Sequence, residues 1–124
     1  GDANKLAIRL NDGTGRFLPE TSDINIELGG DGEAPTSLVV GNFDPDPRLD
    51  VAITAMISGK VIVLKNFNAS TNSFAEAAAV TVLAFPVDIV AGNFAGSAAA
   101  DLVVLSLSTG AVQVLTNNGQ GVFS

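Results

Sequence analysis

Apolar residues occur in short runs separated by glycine, asparagine, aspartate and proline, which is the pattern of β-strands joined by turns. The runs at 24–28, 37–41, 60–64, 80–85 and 88–92 are each long enough for one strand. Two of them, 37–41 and 88–92, are almost wholly apolar, which predicts strands buried on both faces. The whole chain has nine such runs, so we expect an all-β protein.

One segment offers a helical alternative. Residues 74–80 read FAEAAAV, and a cluster of alanines favours helix. The run is short and is followed at once by residues that favour strand, so at most a single helical turn is expected there.

The chain contains an internal repeat with an offset of 51 residues. Residues 35–43 and 86–94 both read Pro-x-x-aliphatic-Val-x-Gly-Asn-Phe. The similarity continues at the same offset in two more pairs of segments: 49–53 with 100–104, and 58–64 with 109–115. Because spacing and residue type agree over about thirty positions, the repeat predicts two copies of one structural unit.

A third, partial copy lies at the start of the sequence. Residues 4–17 resemble 110–123, and both segments end in Asn-x-Gly-x-Gly-x-Phe. The pairs Asp12-Gly13 and Asn118-Gly119 predict two-residue turns. The middle copy has a longer loop rich in Asn, Ser and Thr at 66–74.

Four strands in about fifty residues, repeated, are typical of a β-propeller blade. The predicted fold is therefore a set of propeller blades, each a four-stranded antiparallel sheet, with about two and a quarter blades in this chain. Residues 1–29 form the tail of one blade and the start of the next connection, 30–85 a complete blade, and 86–124 a second, incomplete blade. A chain that begins and ends within a blade is expected to belong to a longer propeller or to pair with copies of itself.

Three segments together resemble a known family. These are Gly-Asn-Phe-Asp-x-Asp-x-x-x-Asp-aliphatic at 41–51, Gly-x-aliphatic-x-Val-Leu at 59–64, and the Asn-x-Gly-x-Gly-x-Phe motif. The pattern resembles the FG-GAP/VCBS repeats, which are similar to the integrin alpha-subunit propeller. The resemblance implies a non-catalytic structural or interaction module, extracellular or on the cell surface, that binds a protein or glycan ligand in adhesion. Two alternatives remain: a scaffold segment of a secreted hydrolase or lyase, and a self-assembling propeller subunit.

The same resemblance implies one calcium site. The family's loop is similar to Asp-x-[Asp/Asn]-Gly-Asp-Gly-x-x-Asp and often holds Ca²⁺, a cation that takes six to eight oxygen ligands. Carried onto this chain, the side-chain ligands and the backbone carbonyl are those of Asn42, Asp44, Asp46, Arg48 (carbonyl) and Asp50.

The loop departs from the family pattern at three positions. Pro45 and Pro47 stand where the family has glycine, and proline cannot adopt the positive φ that glycine allows. The first ligand is the neutral Asn42 rather than an aspartate. The alternative interpretation is a proline-rich connection whose acidic side chains face water.

The second copy of the loop has lost most of these ligands. Asn93, Ala95, Ser97 and Asp101 occupy the matching positions, so one carboxylate remains. We expect no calcium there, and we expect Asp101 to act as a hydrogen-bonding turn residue.

Phenylalanine is the only aromatic residue type, and five of the seven phenylalanines recur at the ends of matching motifs. Large aromatic side chains at repeated positions usually form a core. The residues expected between blades are Phe17, Phe43, Phe74, Phe94 and Phe123.

Composition excludes several functions. The chain has no cysteine and no histidine, which excludes disulfides, thiolate metal sites and a Ser-His-Asp triad within it. A net charge of −7 opposes binding to nucleic acid, whose phosphates it would repel. No apolar stretch approaches the roughly 20 residues of a membrane helix, and no signal peptide is visible.

Overall fold

The computed structural model describes residues 4–28, 34–96 and 98–124. The described residues form nine strands in three antiparallel sheets, which confirms the all-β prediction. They do not close into a barrel or a ring of blades. The strands are β1 (Lys5–Ile8) and β2 (Ile24–Glu27) in the first sheet, β3 (Pro35–Gly41), β4 (Asp50–Ala55), β5 (Lys60–Asn68) and β6 (Ser73–Thr81) in the second, and β7 (Pro86–Gly92), β8 (Asp101–Ser106) and β9 (Val112–Leu115) in the third.

The helical alternative at 74–80 is wrong. These residues lie in β6, which pairs with β5 so that Ala77 is opposite Leu64 and Ala79 is opposite Ile62. The predicted strand at 80–85 is also misplaced, because β6 begins at Ser73 and ends at Thr81. Pairing with a long neighbouring strand outweighs the helical preference of alanine, which is only a weak tendency in any tertiary context.

The three sheets stack face to face with the four-stranded sheet in the middle. Along β4, alternate side chains point to opposite sides. Val51 and Ile53 pack in a core with Leu6 and Leu28 of the first sheet region. On the other side, the core formed with the third sheet contains Phe43, Ala52, Val61, Val63, Ile89, Leu102, Val104, Leu115 and Phe123. The two central strands of the middle sheet, β4 and β5, are therefore covered by apolar side chains on both faces.

The most deeply buried strand is β4, all of whose residues are buried, followed by β5. The expectation that 37–41 and 88–92 are buried on both faces is wrong. In β3 and β7 exposed residues alternate with better buried ones, and Leu38 and Val90 are exposed. The reason is position, since each is an edge strand and packs beside the other rather than between two neighbours.

The prediction for the phenylalanines is confirmed in part. Phe43 and Phe123 are buried and meet edge to face with ring centroids 5.6 Å apart. Phe74 is partly buried and packs on Phe67. Phe17 and Phe94 are exposed, and for them the prediction is wrong. Phe94 occupies the same repeat position as Phe43, but no further described sheet covers it.

The Asn-x-Gly-x-Gly-x-Phe motifs form loops that close on themselves. In the last copy, Asn117 pairs with Phe123 across the loop, so the turn is wider than the two residues predicted. The Asn117 Oδ1 accepts hydrogen bonds from the backbone N–H groups of Gly119 (2.9 Å) and Gly121 (3.0 Å). Both glycines have positive φ, which explains why the motif requires glycine at those two positions.

Candidate functional site

The loop between β3 and β4 begins with a Gly-Asn-Phe motif, in which the ring of Phe43 packs against Gly41. A Cβ added at Gly41 would lie 3.0 Å from the ring of Phe43, and one added at Gly92 would lie 3.1 Å from the ring of Phe94. The motif thus fixes the direction in which each loop leaves its edge strand.

Asp50, at the start of β4, is fully buried, and its carboxylate holds this loop to the rest of the sheet. Its Oδ2 accepts the backbone N–H of Phe43 at 2.6 Å, and its Oδ1 accepts the backbone N–H of Asn66 at 2.8 Å. The carboxylate therefore joins the end of β3 to the neighbouring β5. Buried N–H groups that bond an ionised acceptor form the stronger class of hydrogen bond.

Asp101 makes the same connection in the third sheet, as predicted for a hydrogen-bonding turn residue. Its Oδ2 accepts the N–H groups of Phe94 (3.0 Å) and Ala95 (2.8 Å), and its Oδ1 accepts that of Asn117 (2.9 Å). These backbone hydrogen bonds lower the pKa of Asp101 below its ordinary value. The repeat itself carried the signal for Asp50, since this aspartate persists in the copy that has lost the other acids.

The other two acids of the loop have different partners. Asp44 Oδ1 accepts the N–H of Asp46 at 3.0 Å, and its Oδ2 accepts the side-chain amide of Asn66 at 3.2 Å. Asp46 accepts the backbone N–H of Arg48 at 2.8 Å and forms a two-pronged ion pair with the Arg48 guanidinium, with Nη2 to Oδ2 at 2.8 Å. The side-chain hydrogen bond from Arg48 lowers the pKa of Asp46 to about 2.

The ion pair between Asp46 and Arg48 predicts that the stability of the fold falls at acidic pH. The pKa of Asp46 is lower in the folded chain (about 2) than in an unfolded one. The contribution of the ionised Asp46 to the free energy of unfolding is therefore complete above pH ~4 and is lost as the pH falls toward 2. We expect Arg48→Gln to lower the melting temperature by about 1–3 °C at pH 7, as an exposed pair should. The two melting curves should converge near pH 2. A gap that persists at that pH would contradict the assignment.

A groove of about 410 Å³ lies beside the loop, between it and the last turn of the chain. Its lining consists of loop residues, four of them polar: Asn42, Phe43, Asp44, Pro45, Ala98, Ala99, Asn117, Asn118 and Gly119. Asn42 is exposed at this groove. The groove runs between loops of two successive sheets, so both repeats contribute to it.

One buried polar atom next to the loop has no hydrogen-bond partner among the described residues. It is the Oδ1 of Asn66, whose Nδ2 donates to Asp44. Asn66 stands at the repeat position of Asn117, whose Oδ1 instead accepts the glycine N–H groups of its own turn. The loop after Asn66 lacks those glycines, so the amide oxygen of Asn66 has no glycine N–H to accept.

The expected calcium ligands are close in sequence but are arranged for other partners. Among the described residues, no three acidic side chains converge where they could hold a metal ion. Asp50 uses both oxygens on backbone N–H groups, and Asp46 is paired with Arg48. Calcium would therefore have to displace Arg48 from Asp46.

The matching loop of the third sheet is closed differently. Asn93 Oδ1 accepts the N–H of Gly96 at 2.9 Å, so this side chain holds the backbone of its own loop. Ala95 contributes only its backbone N–H to Asp101. Ser97, which occupies the third ligand position of this copy, lies outside the described residues.

No helix of the described chain is both long and apolar enough to span a membrane. Comparison of the chain with models of protein families, with curated proteins and with solved structures found no match in any of the three.

Proposed function

We propose that this chain is a non-catalytic structural and interaction module built from consecutive blades of an extracellular or cell-surface β-propeller. The observation that carries the proposal is the face-to-face stacking of successive sheets. In the middle and third sheets, Asp50 and Asp101 stand at matching repeat positions, and each joins the same two backbone segments of its own sheet. Units that cannot cover both faces alone but cover one another in sequence are the building principle of repeat architectures.

The loop end of the stack is the surface proposed to bind a protein or glycan ligand. Loops on a rigid scaffold commonly carry binding residues. Here the Asn117 side chain donates to the backbone oxygen of Phe43 at 2.8 Å, so the loops of two sheets are fixed relative to each other. The exposed amide of Asn42 and the carboxylate of Asp44 provide polar groups suited to hydroxyl-bearing ligands.

The alternative of a secreted hydrolase or lyase is less well supported by this groove. Glycoside hydrolysis usually requires two carboxylates on opposite sides of the scissile bond. Among the described residues that line the groove, Asp44 is the one acid. The acids nearest to it in sequence are committed to Arg48 and to backbone N–H groups.

Ligand binding is tested by amide chemical-shift mapping with a panel of neutral oligosaccharides, beside an assay with chromogenic glycosides. We expect amide chemical-shift changes confined to the residues that line the groove, smaller changes in Asn42→Ala, and no hydrolysis of the chromogenic glycosides. Turnover that is lost in Asp44→Asn would support the enzyme alternative instead. Oligosaccharide shifts that avoid the groove would contradict this binding surface.

Calcium binding by the loop after β3 stays a prediction, and calorimetric titration of the chelated protein tests it. We expect one ion per chain with a dissociation constant of about 0.1–1 mM, the range of extracellular modules. Asp44→Asn should abolish binding. Arg48→Gln keeps the backbone carbonyl but removes the competing guanidinium, so it should tighten binding by about three- to tenfold. Absence of saturable heat in both the parent and Arg48→Gln would overturn the calcium prediction while leaving the fold unaffected.

A further inference from the structure

The third sheet has one apolar side that no described element covers. Register places Val90, Val103 and Val114 side by side across β7, β8 and β9, and places Leu105 beside Val112. These five residues are called the outer apolar face. Four of them are exposed, and Val103 is partly exposed. The opposite side of the same strands, with Leu102 and Val104, is the side that packs on the middle sheet.

The internal repeat shows that these positions are normally buried under another sheet. Val61 and Val63 of β5 stand at the repeat positions of Val112 and Val114. They are 0% and 1% exposed beneath the third sheet, whereas Val112 and Val114 are 63% and 48% exposed. The same side-chain types thus form a core in one copy and a surface in the next.

The opposite end of the stack does not offer a matching surface. The outward side of the first sheet presents Lys5, Ala7, Asn25 and Glu27, with Lys5 Nζ 3.5 Å from Glu27 Oε1. Burying that ion pair under an apolar sheet would cost desolvation without a new partner. Leu38 and Val40 are also exposed, but both lie on the edge strand β3. The apolar surface that they form is therefore only one strand wide.

We propose that the outer apolar face binds the same face of a second copy, forming a twofold dimer. A surface that is apolar and uncharged across its centre is complementary to itself, and two such sheets can pack about 10 Å apart with their side chains interdigitated. Among the described residues that line this surface, the one charged residue is Asp88, which lies at the rim and accepts a hydrogen bond from Ser37 Oγ at 3.0 Å. The interface continues the sheet-on-sheet packing already present within the chain.

The dimer is expected to be weak because the face is small. Three short strands about 4.8 Å apart present roughly 300 Å², well below the roughly 800 Å² per partner of a standard interface. We therefore expect a dissociation constant on the order of 10–100 µM. Sedimentation velocity over a concentration range that brackets this value should show a monomer that converts to a dimer and goes no further.

Val112→Glu should weaken the dimer at least ~tenfold without unfolding the chain, because Val112 is exposed in the monomer. Ile57→Glu is the matched control, since Ile57 is equally exposed but lies in the turn between β4 and β5. Ala7→Glu, at the polar end of the stack, should also leave the dimer intact. A chain that stays monomeric at millimolar concentration, a dimer unaffected by Val112→Glu, or open-ended association blocked by Ala7→Glu would each overturn the proposal.

Discussion

Asp50→Asn is expected to lower the free energy of unfolding by about 2–4 kcal/mol, because a buried acceptor becomes a group that carries its own donors. The parent carboxylate accepts two backbone N–H groups, one on each oxygen. An asparagine of the same shape can accept only one of them, so the other N–H would face an amide N–H. Either the Gly-Asn-Phe loop or the end of β5 then loses its attachment.

Urea unfolding followed by far-ultraviolet circular dichroism measures this effect, since the chain has no tryptophan or tyrosine to report by fluorescence. Asp46→Asn is the matched control in the same loop, and it should shift the urea midpoint far less because Asp46 is partly exposed. Equal shifts of the urea midpoint for Asp50→Asn and Asp46→Asn would show that the burial of Asp50 does not determine its contribution to stability. Asp101→Asn should resemble Asp50→Asn, since Asp101 is also fully buried.

Phe43→Ala is expected to destabilise the chain by about 3–5 kcal/mol, whereas Phe94→Ala at the same repeat position should cost less than about 1 kcal/mol. The Phe43 side chain is 1% exposed and packs on Phe123, while Phe94 is 53% exposed. Truncating Phe43 leaves a cavity between the middle and third sheets. Truncating Phe94 removes contacts chiefly with its own Gly92.

Urea unfolding compares the two variants at matched sequence positions, because both phenylalanines end a Gly-Asn-Phe motif. A large loss of stability in Phe94→Ala would mean that a surface covers Phe94 in solution. If Val112→Glu removed that extra loss, the covering surface would be the partner copy.

The amino-acid pattern predicted much of the fold because strand pairing here is local. Short apolar runs separated by turn residues pair with their neighbours in sequence, so eight of the nine strands and the two related sheets could be predicted from the runs and the repeat. The strand expected at 80–85 was misplaced, because pairing with β5 places β6 at Ser73–Thr81 in spite of the helical preference of its alanines. The sequence pointed to the acids of the loop after β3, but their hydrogen-bond and ion-pair partners were not predicted, and calcium binding by that loop stays a prediction.

The amino-acid pattern alone predicted most of the strands and the repeat, because these depend on residues close together along the chain. It also identified Asp101 as a hydrogen-bonding residue. The folded chain was needed to show that Asp50 has the same role and that Asp46 pairs with Arg48. The same holds for Phe43 and Phe94, which have equivalent sequence positions but opposite exposure. Burial is set by whether another sheet lies across the position, and a local pattern carries no information about that neighbour.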